Sequence, residues 1–280
     1  MKRYILAAAL IAAILATGAV VYAGAGNIRW TAHNLSSEAP AGLNSVRHQA
    51  SVTVDQICIF CHTPHHAQPA QPLWNKVNPT QTFKMYTSST TLTTVAKAVT
   101  APGPESLLCL SCHDGRTAIN VLHNSRVGDD YGAGDKIVDI GGETFDGGHP
   151  NGDVISLAYY GGFNPNAYGE NLGKTASDPY AGNNLMDDHP ISFSYSAAYS
   201  EKQSAGSDAL RTIENAKSQG MRFFGANRDR MECSTCHDPH VDYGYVNNFP
   251  TGSPSANTAL KPFLVRSNSG SAMCLACHNK

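Results

Sequence analysis

All eight cysteines of this chain fall into four copies of one short unit: Cys58-Ile-Phe-Cys61-His62, Cys109-Leu-Ser-Cys112-His113, Cys233-Ser-Thr-Cys236-His237 and Cys274-Leu-Ala-Cys277-His278. The C-x-x-C-H spacing is the attachment signal for c-type haem. Each pair of thiols can form thioethers to one edge of a porphyrin, and the imidazole directly after the second cysteine is placed to bind the iron as its proximal ligand. Structural zinc and a disulfide framework also use paired cysteines. With 12 histidines in 280 residues, a histidine after all four pairs by chance has odds on the order of 10⁻⁶. Four covalently bound c-type haems are therefore expected, held by Cys58, Cys61, Cys109, Cys112, Cys233, Cys236, Cys274 and Cys277, with His62, His113, His237 and His278 as proximal ligands.

The N-terminus fits this chemistry. Lys2 and Arg3 precede an apolar run from Tyr4 to Val21 and small residues around Ala23 and Ala25, the pattern of a secretory signal peptide over residues 1–25. The alternative is an uncleaved anchor, since the run is just long enough to span a bilayer. No other segment is apolar enough to cross a membrane, so no span is expected after cleavage. Export places the chain in an oxidising, extracytoplasmic compartment, periplasmic or at the cell surface, where covalent haem attachment belongs. Removing Lys2 and Arg3 takes the formal charge from -2 to -4, and haem propionates add negative charge, which argues against a nucleic-acid partner.

The elements that must position these sites are short. Gly 25 and Pro 15 are high, charged residues are only 15%, and long amphipathic repeats are scarce. The expected fold is mostly irregular and loop-rich with short α-helices and little β, the polypeptide wrapped around a stack of four c-type haems that supply much of the apolar core. Periodicity does not decide whether Val52–Ile57, ahead of the first unit, is a short strand or a helical turn. Residues 67–105 read as an extended connector anchored by Leu73-Trp74-Asn75, with Trp74 a packing residue rather than an electron stepping-stone. One helix is expected from Ser207, as its cap, to Gly220.

Residues 26–126 and 186–280 read as two di-haem modules related by a weak repeat: a C-x-x-C-H followed by Pro-His, a loop, then a simpler C-x-x-C-H. Between them, residues 127–185 form an acidic, Gly-rich insertion. Its Asp129, Asp130 and Asp135 lack the regular spacing of a calcium loop and are expected to be solvated surface.

A closed haem needs a sixth ligand, and eight histidines remain: His33, His48, His65, His66, His123, His149, His189 and His240. Four would suffice. His65 is three residues from His62, a reach of about 10 Å at full extension, too short to travel round the porphyrin edge. If it binds iron, it binds a neighbouring haem. The same holds for His240 in His237-Asp238-Pro239-His240. His189, ahead of Pro190, is held extended in a way that suits presentation to a haem face.

In His33-Asn-Leu-Ser, Cys58-Ile-Phe-Cys-His-Thr-Pro-His65, Leu73-Trp-Asn75, Ser106-Leu-Leu-Cys-Leu-Ser-Cys-His-Asp-Gly115, Asp188-His-Pro-Ile-Ser-Phe193, Cys233-Ser-Thr-Cys-His-Asp-Pro-His240 and Cys274-Leu-Ala-Cys-His278, the chain resembles the multihaem c-type cytochromes with doubled C-x-x-C-H motifs that abound in metal-reducing bacteria. The resemblance covers the mature chain except residues 120–185. It implies His33, His65, His189 and His240 as the four distal ligands, with His149 as the main rival. Some members of that family are secreted tetra- or hexahaem proteins that polymerise into conducting filaments, a histidine of one subunit closing a haem of the next; the leftover His48, His66, His123 and His149 permit such self-assembly here.

Two histidines on each iron leave no place for a substrate, so such a site passes electrons only. The expected function is that of an exported tetrahaem c-type cytochrome rather than an enzyme. It would serve extracellular electron transfer, with redox proteins or extracellular acceptors as partners. The alternative is a periplasmic multihaem reductase subunit with one substrate-accessible haem, acting on nitrite or sulfur oxyanions. Potentials, haem order, ligand pairing and terminal acceptor are open at this level.

Overall fold

Turns and prolines cut the chain into pieces that the structure keeps short. The computed structural model describes residues 27–39, 54–65, 67, 73–126, 128–132, 135–138, 172–173, 182–246, 249–250, 253 and 256–279. The expected signal peptide, His48, His66, His149 and most of the acidic insertion lie outside the described residues. Among the described residues no helix exceeds ten residues and no strand exceeds four, and none of these helices is long and apolar enough to cross a membrane.

Each C-x-x-C pair sits on one helical turn. The first lies on a 3-10 turn, Ile57–Phe60, so of the described residues in the ambiguous 52–57 stretch, 54–57, only Ile57 is in regular structure. The connector after it is not wholly extended: α1 is Thr94–Lys97, capped by the Thr93 side chain, and α2 is Pro104–His113. Pro104 opens α2 where its missing N–H costs nothing, and the helix carries Cys109, Cys112 and His113 on its last turns. In the C-terminal half, α3 is Tyr195–Ser204, α4 is Ile213–Ser218, α5 is Cys233–Cys236 and α6 is Ala272–Leu275. Cysteines three apart on such a turn face the same side. The histidine N–H then closes the turn onto the first cysteine's carbonyl, at 2.7 Å for His62, 3.1 Å for His237 and 2.9 Å for His278.

The helix expected from Ser207 starts later, at Ile213, with Thr212 as its cap and Gly220 (φ +90°) beyond its end. The intervening backbone has another partner: Arg211 N–H donates to Cys277 O and Asn279 N–H to Ala209 O, so residues 209–211 run beside the fourth motif as a strand-like rail. Tertiary pairing overrides the helical pattern there.

The strands are clips between distant segments. β1 (Lys84–Met85) pairs in parallel with β5 (Asn184–Leu185). β2 (Val121–Leu122), β3 (Asp129–Gly132) and β4 (Asp135–Ile137) form a sheet in the order β2-β4-β3, with Val121 opposite Ile137, and this pairing crosses the boundary expected at 126/127. β6 (Phe193–Ser194) pairs antiparallel with β7 (Arg230–Met231), and β8 (Tyr245–Val246) with β9 (Phe249–Pro250). Helices also join the two halves, α1 packing on α3 and α2 on α5. Glu201 of α3 accepts the free N–H groups of Thr94 and Val95 at the start of α1, at 2.7 and 3.2 Å.

Apolar side chains gather in separate clusters, several of them seated on a motif. Phe60, between Cys58 and Cys61, packs with Val54, Leu122 and Val138; Leu110, between Cys109 and Cys112, packs with Phe83, Met85 and Leu185; Ala276 and Cys277 belong to the cluster of Tyr195, Met221 and Phe223. Polar side chains do much of the joining. Glu232, 1% exposed, accepts hydrogen bonds from Ser106, Ser192 and Arg230, tying α2, β6 and β7 to the third motif. Gly103 passes so close to this carboxylate that a Cβ would collide with it.

Asn75, fully buried, does the same for the first motif. Its Nδ2 donates to Ile59 O (2.7 Å) and Asn124 O (2.9 Å), its Oδ1 accepts from Asn124 N–H (2.7 Å), and its own N–H donates to Cys61 O (3.0 Å). Asn75→Ala strands these buried groups and should lower unfolding stability by about 2–4 kcal/mol in denaturant titration. A loss below about 0.5 kcal/mol, the range of an ordinary surface substitution, would show that Asn75 is not a staple.

Candidate functional site: histidine pairs at the motifs

Three of the four motif histidines face one further histidine each. His62 and His240 have ring centres 6.3 Å apart with planes 8° from parallel; His113 and His33 are 5.9 Å apart at 66°; His278 and His189 are 6.4 Å apart at 71°. Van der Waals stacking would bring parallel rings far closer. Two imidazoles on opposite sides of one metal, each nitrogen about 2.0 Å from it, have ring centres roughly 6.3 Å apart whatever their rotation about the shared axis. The three separations match that distance. The fourth motif histidine, His237, has no such partner among the described residues, and the structure brings the ring of His65 to no other ring there.

The orientation of the rings is set by their second nitrogen. A metal-bound imidazole characteristically gives its other N–H to a carboxylate or carbonyl, which fixes tautomer and aim. His237 Nδ1 lies 3.0 Å from Pro262 O, His189 Nδ1 2.8 Å from Pro190 O, and His240 Nδ1 2.8 Å from Asp238 Oδ1. In each case Nε2 is left for another partner. Asp238 also takes Arg222 Nη1 at 2.8 Å, and its hydrogen bond with His240 holds the carboxyl well below the usual carboxylate range while raising the pKa of His240. Burial lowers the pKa of His237 and, together with the neighbouring His240, that of His62, which favours the neutral imidazole at both.

One strap positions several of these groups. Residues 262–264 supply the Pro262 carbonyl to His237, the Phe263 carbonyl to Asp238 N–H (2.7 Å), and the Phe263 ring to His33, 4.6 Å between centres. His33, from the N-terminal half, is thus seated against the C-terminal half. Trp74 lies edge-on to His62 at 5.7 Å, and its Nε1 is a buried donor without a hydrogen-bond acceptor among the described residues.

The thiols lie within electrostatic reach of one another in pairs: Cys61 and Cys112, Cys109 and Cys233, Cys236 and Cys277. All eight are free of disulfides. Burial and the adjacent thiol push Cys61 and Cys236 each up to about 12. Among the described residues no three His, Cys, Asp or Glu side chains converge. At three motifs the donor set, two thiols on one turn and an imidazole on each side, would fit a covalently held haem.

Asp135, expected on a solvated acidic surface, is instead buried and bonded through Oδ1 to His123 Nδ1 at 2.8 Å, so the β2–β4 sheet takes both residues into its own fabric. Sequence reasoning also passed over Asn75 as a staple, Asp238 as the orienting group of His240, and the Pro262–Phe263 strap. Only Asp238, sitting between two motif-associated histidines, carried a signal in its position.

No protein-family model matches the chain, and no curated protein matches it. If His240 ligates a haem iron, Asp238→Asn should raise the reduction potential of that iron, because a carboxylate on the far nitrogen makes the ligand more basic and favours ferric iron. Potentiometric titration checks this; an unchanged set of potentials would deny Asp238 that role.

Proposed function

We propose that this chain is an exported tetrahaem c-type cytochrome that carries electrons through bis-histidine haems, in extracellular electron transfer. The observation behind this reading is the trio of histidine pairs, each joining a C-x-x-C-H histidine to a second one at the separation of two ligands on a single iron. In this assignment His240 serves the haem of Cys58 and Cys61, His33 that of Cys109 and Cys112, and His189 that of Cys274 and Cys277. The first and third motifs share the His-x-Pro-His arrangement, and His240 of the third crosses to the first. Reciprocity assigns His65 to His237.

Bound haem would supply one-electron iron chemistry; the chain's residues hold, orient and shield it. Each helical turn would hold a haem by its two thiols, the paired imidazoles would ligate its iron, and Pro262, Pro190 and Asp238 would fix the rings. The nearness of Cys61 to Cys112, Cys109 to Cys233 and Cys236 to Cys277 supports an order of motifs along the sequence, which an electron relay could use. Redox proteins or extracellular acceptors are the partners this implies. Assembly into filaments has only the family resemblance behind it.

A second reading, a reductase subunit with one open haem, draws on His237, the one motif histidine without a paired ring among the described residues. Carbon monoxide separates the two: a relay closed by His65 binds none when reduced, whereas an open third haem binds one per chain. His240→Ala tests the ligand assignment. It should leave four covalent haems by mass and convert one iron, that of the Cys58/Cys61 haem, to high spin; an unchanged low-spin spectrum would remove His240 from the set.

A further inference from the structure

Behind the first motif lies a buried cation that the ligand set does not use. Lys76 is fully buried, and its Nζ lies 2.6 Å from Ile119 O, 3.0 Å from Val121 O and 3.1 Å from Ala118 O. Three acceptors around one nitrogen require three donors. An ammonium has them; a neutral amine has two and would turn its lone pair on the third carbonyl. The carbonyl cradle therefore favours the charged form, against burial, which lowers the pKa of the Lys76 ammonium. Among the described residues no carboxylate pairs with it. A buried charge without a counter-ion is a costly way to fill space that an apolar side chain would fill more cheaply.

Its position is between two attachment sites. Asn75, directly before it, is hydrogen-bonded to the Cys61 carbonyl, and the three carbonyls of its cradle belong to the segment that leaves the second motif. Cys61 and Cys112 both lie within electrostatic reach of the ammonium. With every proton held by a carbonyl, Lys76 neither ligates iron nor reaches a propionate.

We propose that Lys76 is a fixed positive charge that raises the reduction potentials of the first and second haems relative to the third and fourth. This rests on the haem reading above. When a ferric haem takes one electron from a reductant its site gains one negative charge, and a nearby cation in a low-dielectric interior favours that product. Lys76 is thus a positioning residue for electrons, biasing them toward the N-terminal pair.

The test uses the full exported protein with Lys76→Met. Mass spectrometry and the absorption spectrum first check four covalent, low-spin haems. Potentiometric titration follows, with each haem assigned by its methyl resonances. At a fixed solution potential the ferrous-to-ferric ratio of the first two haems should fall on the order of tenfold, the scale of one unit charge acting through protein. The ratios of the third and fourth should hold. An unchanged ratio at the first two, or an equal fall at all four, overturns the proposal. If the Met variant fails to load four haems, Lys76→Gln keeps two N–H donors for the cradle, loses the charge, and is read the same way. A wild-type chain without covalent haem would instead refute the haem reading itself.

Discussion

Segments far apart in sequence meet where two imidazoles face each other about 6 Å apart. His33 reaches His113, His240 reaches His62 and His189 reaches His278, spanning 80, 178 and 89 residues of chain respectively. Closing loops of that length is entropically unfavourable, and the unfavourable part grows only slowly with length. A strong bond at the closing point therefore offsets it whether the loop is short or long. Metal ligation would be such a bond, and the proposed haem sites would account for how segments with two- to four-residue strands and helices of at most ten residues, among the described residues, hold a defined shape.

The second consequence is the character of the interior. Apolar side chains form small clusters seated on the motifs rather than one continuous core. The spaces between are bridged by buried polar groups with saturated hydrogen bonding, Asn75 at the first motif, Lys76 beside it, and Glu232 at the third. Such networks are directional. They hold short irregular segments in register where apolar contacts, which are not directional, would let them slide.

The proposed site was legible in sequence as far as its signal is local. Two thiols and an imidazole must fall on one helical turn, so five consecutive residues carry the signal. The His-x-Pro-His reach argument rested on a covalent limit and pointed His240 away from its own motif; the structure sets its ring against His62. What was not legible depends on distant partners. Residues 209–211 lose their helical pattern to pairing with the fourth motif, Asp135 leaves the surface for His123, and Lys76 is enclosed by carbonyls contributed from over forty positions away. Periodicity and composition carry no information about such partners.

The ring planes allow the most direct test of the central claim. When two imidazoles share a low-spin ferric iron, near-parallel planes give a rhombic electron paramagnetic resonance signal and steeply crossed planes a highly anisotropic one. The oxidised protein should therefore show one rhombic species from the His62–His240 pair, at 8°, and two highly anisotropic ones from the pairs at 66° and 71°. A spectrum without haem iron, or one in which these three haems are high-spin, would contradict the account.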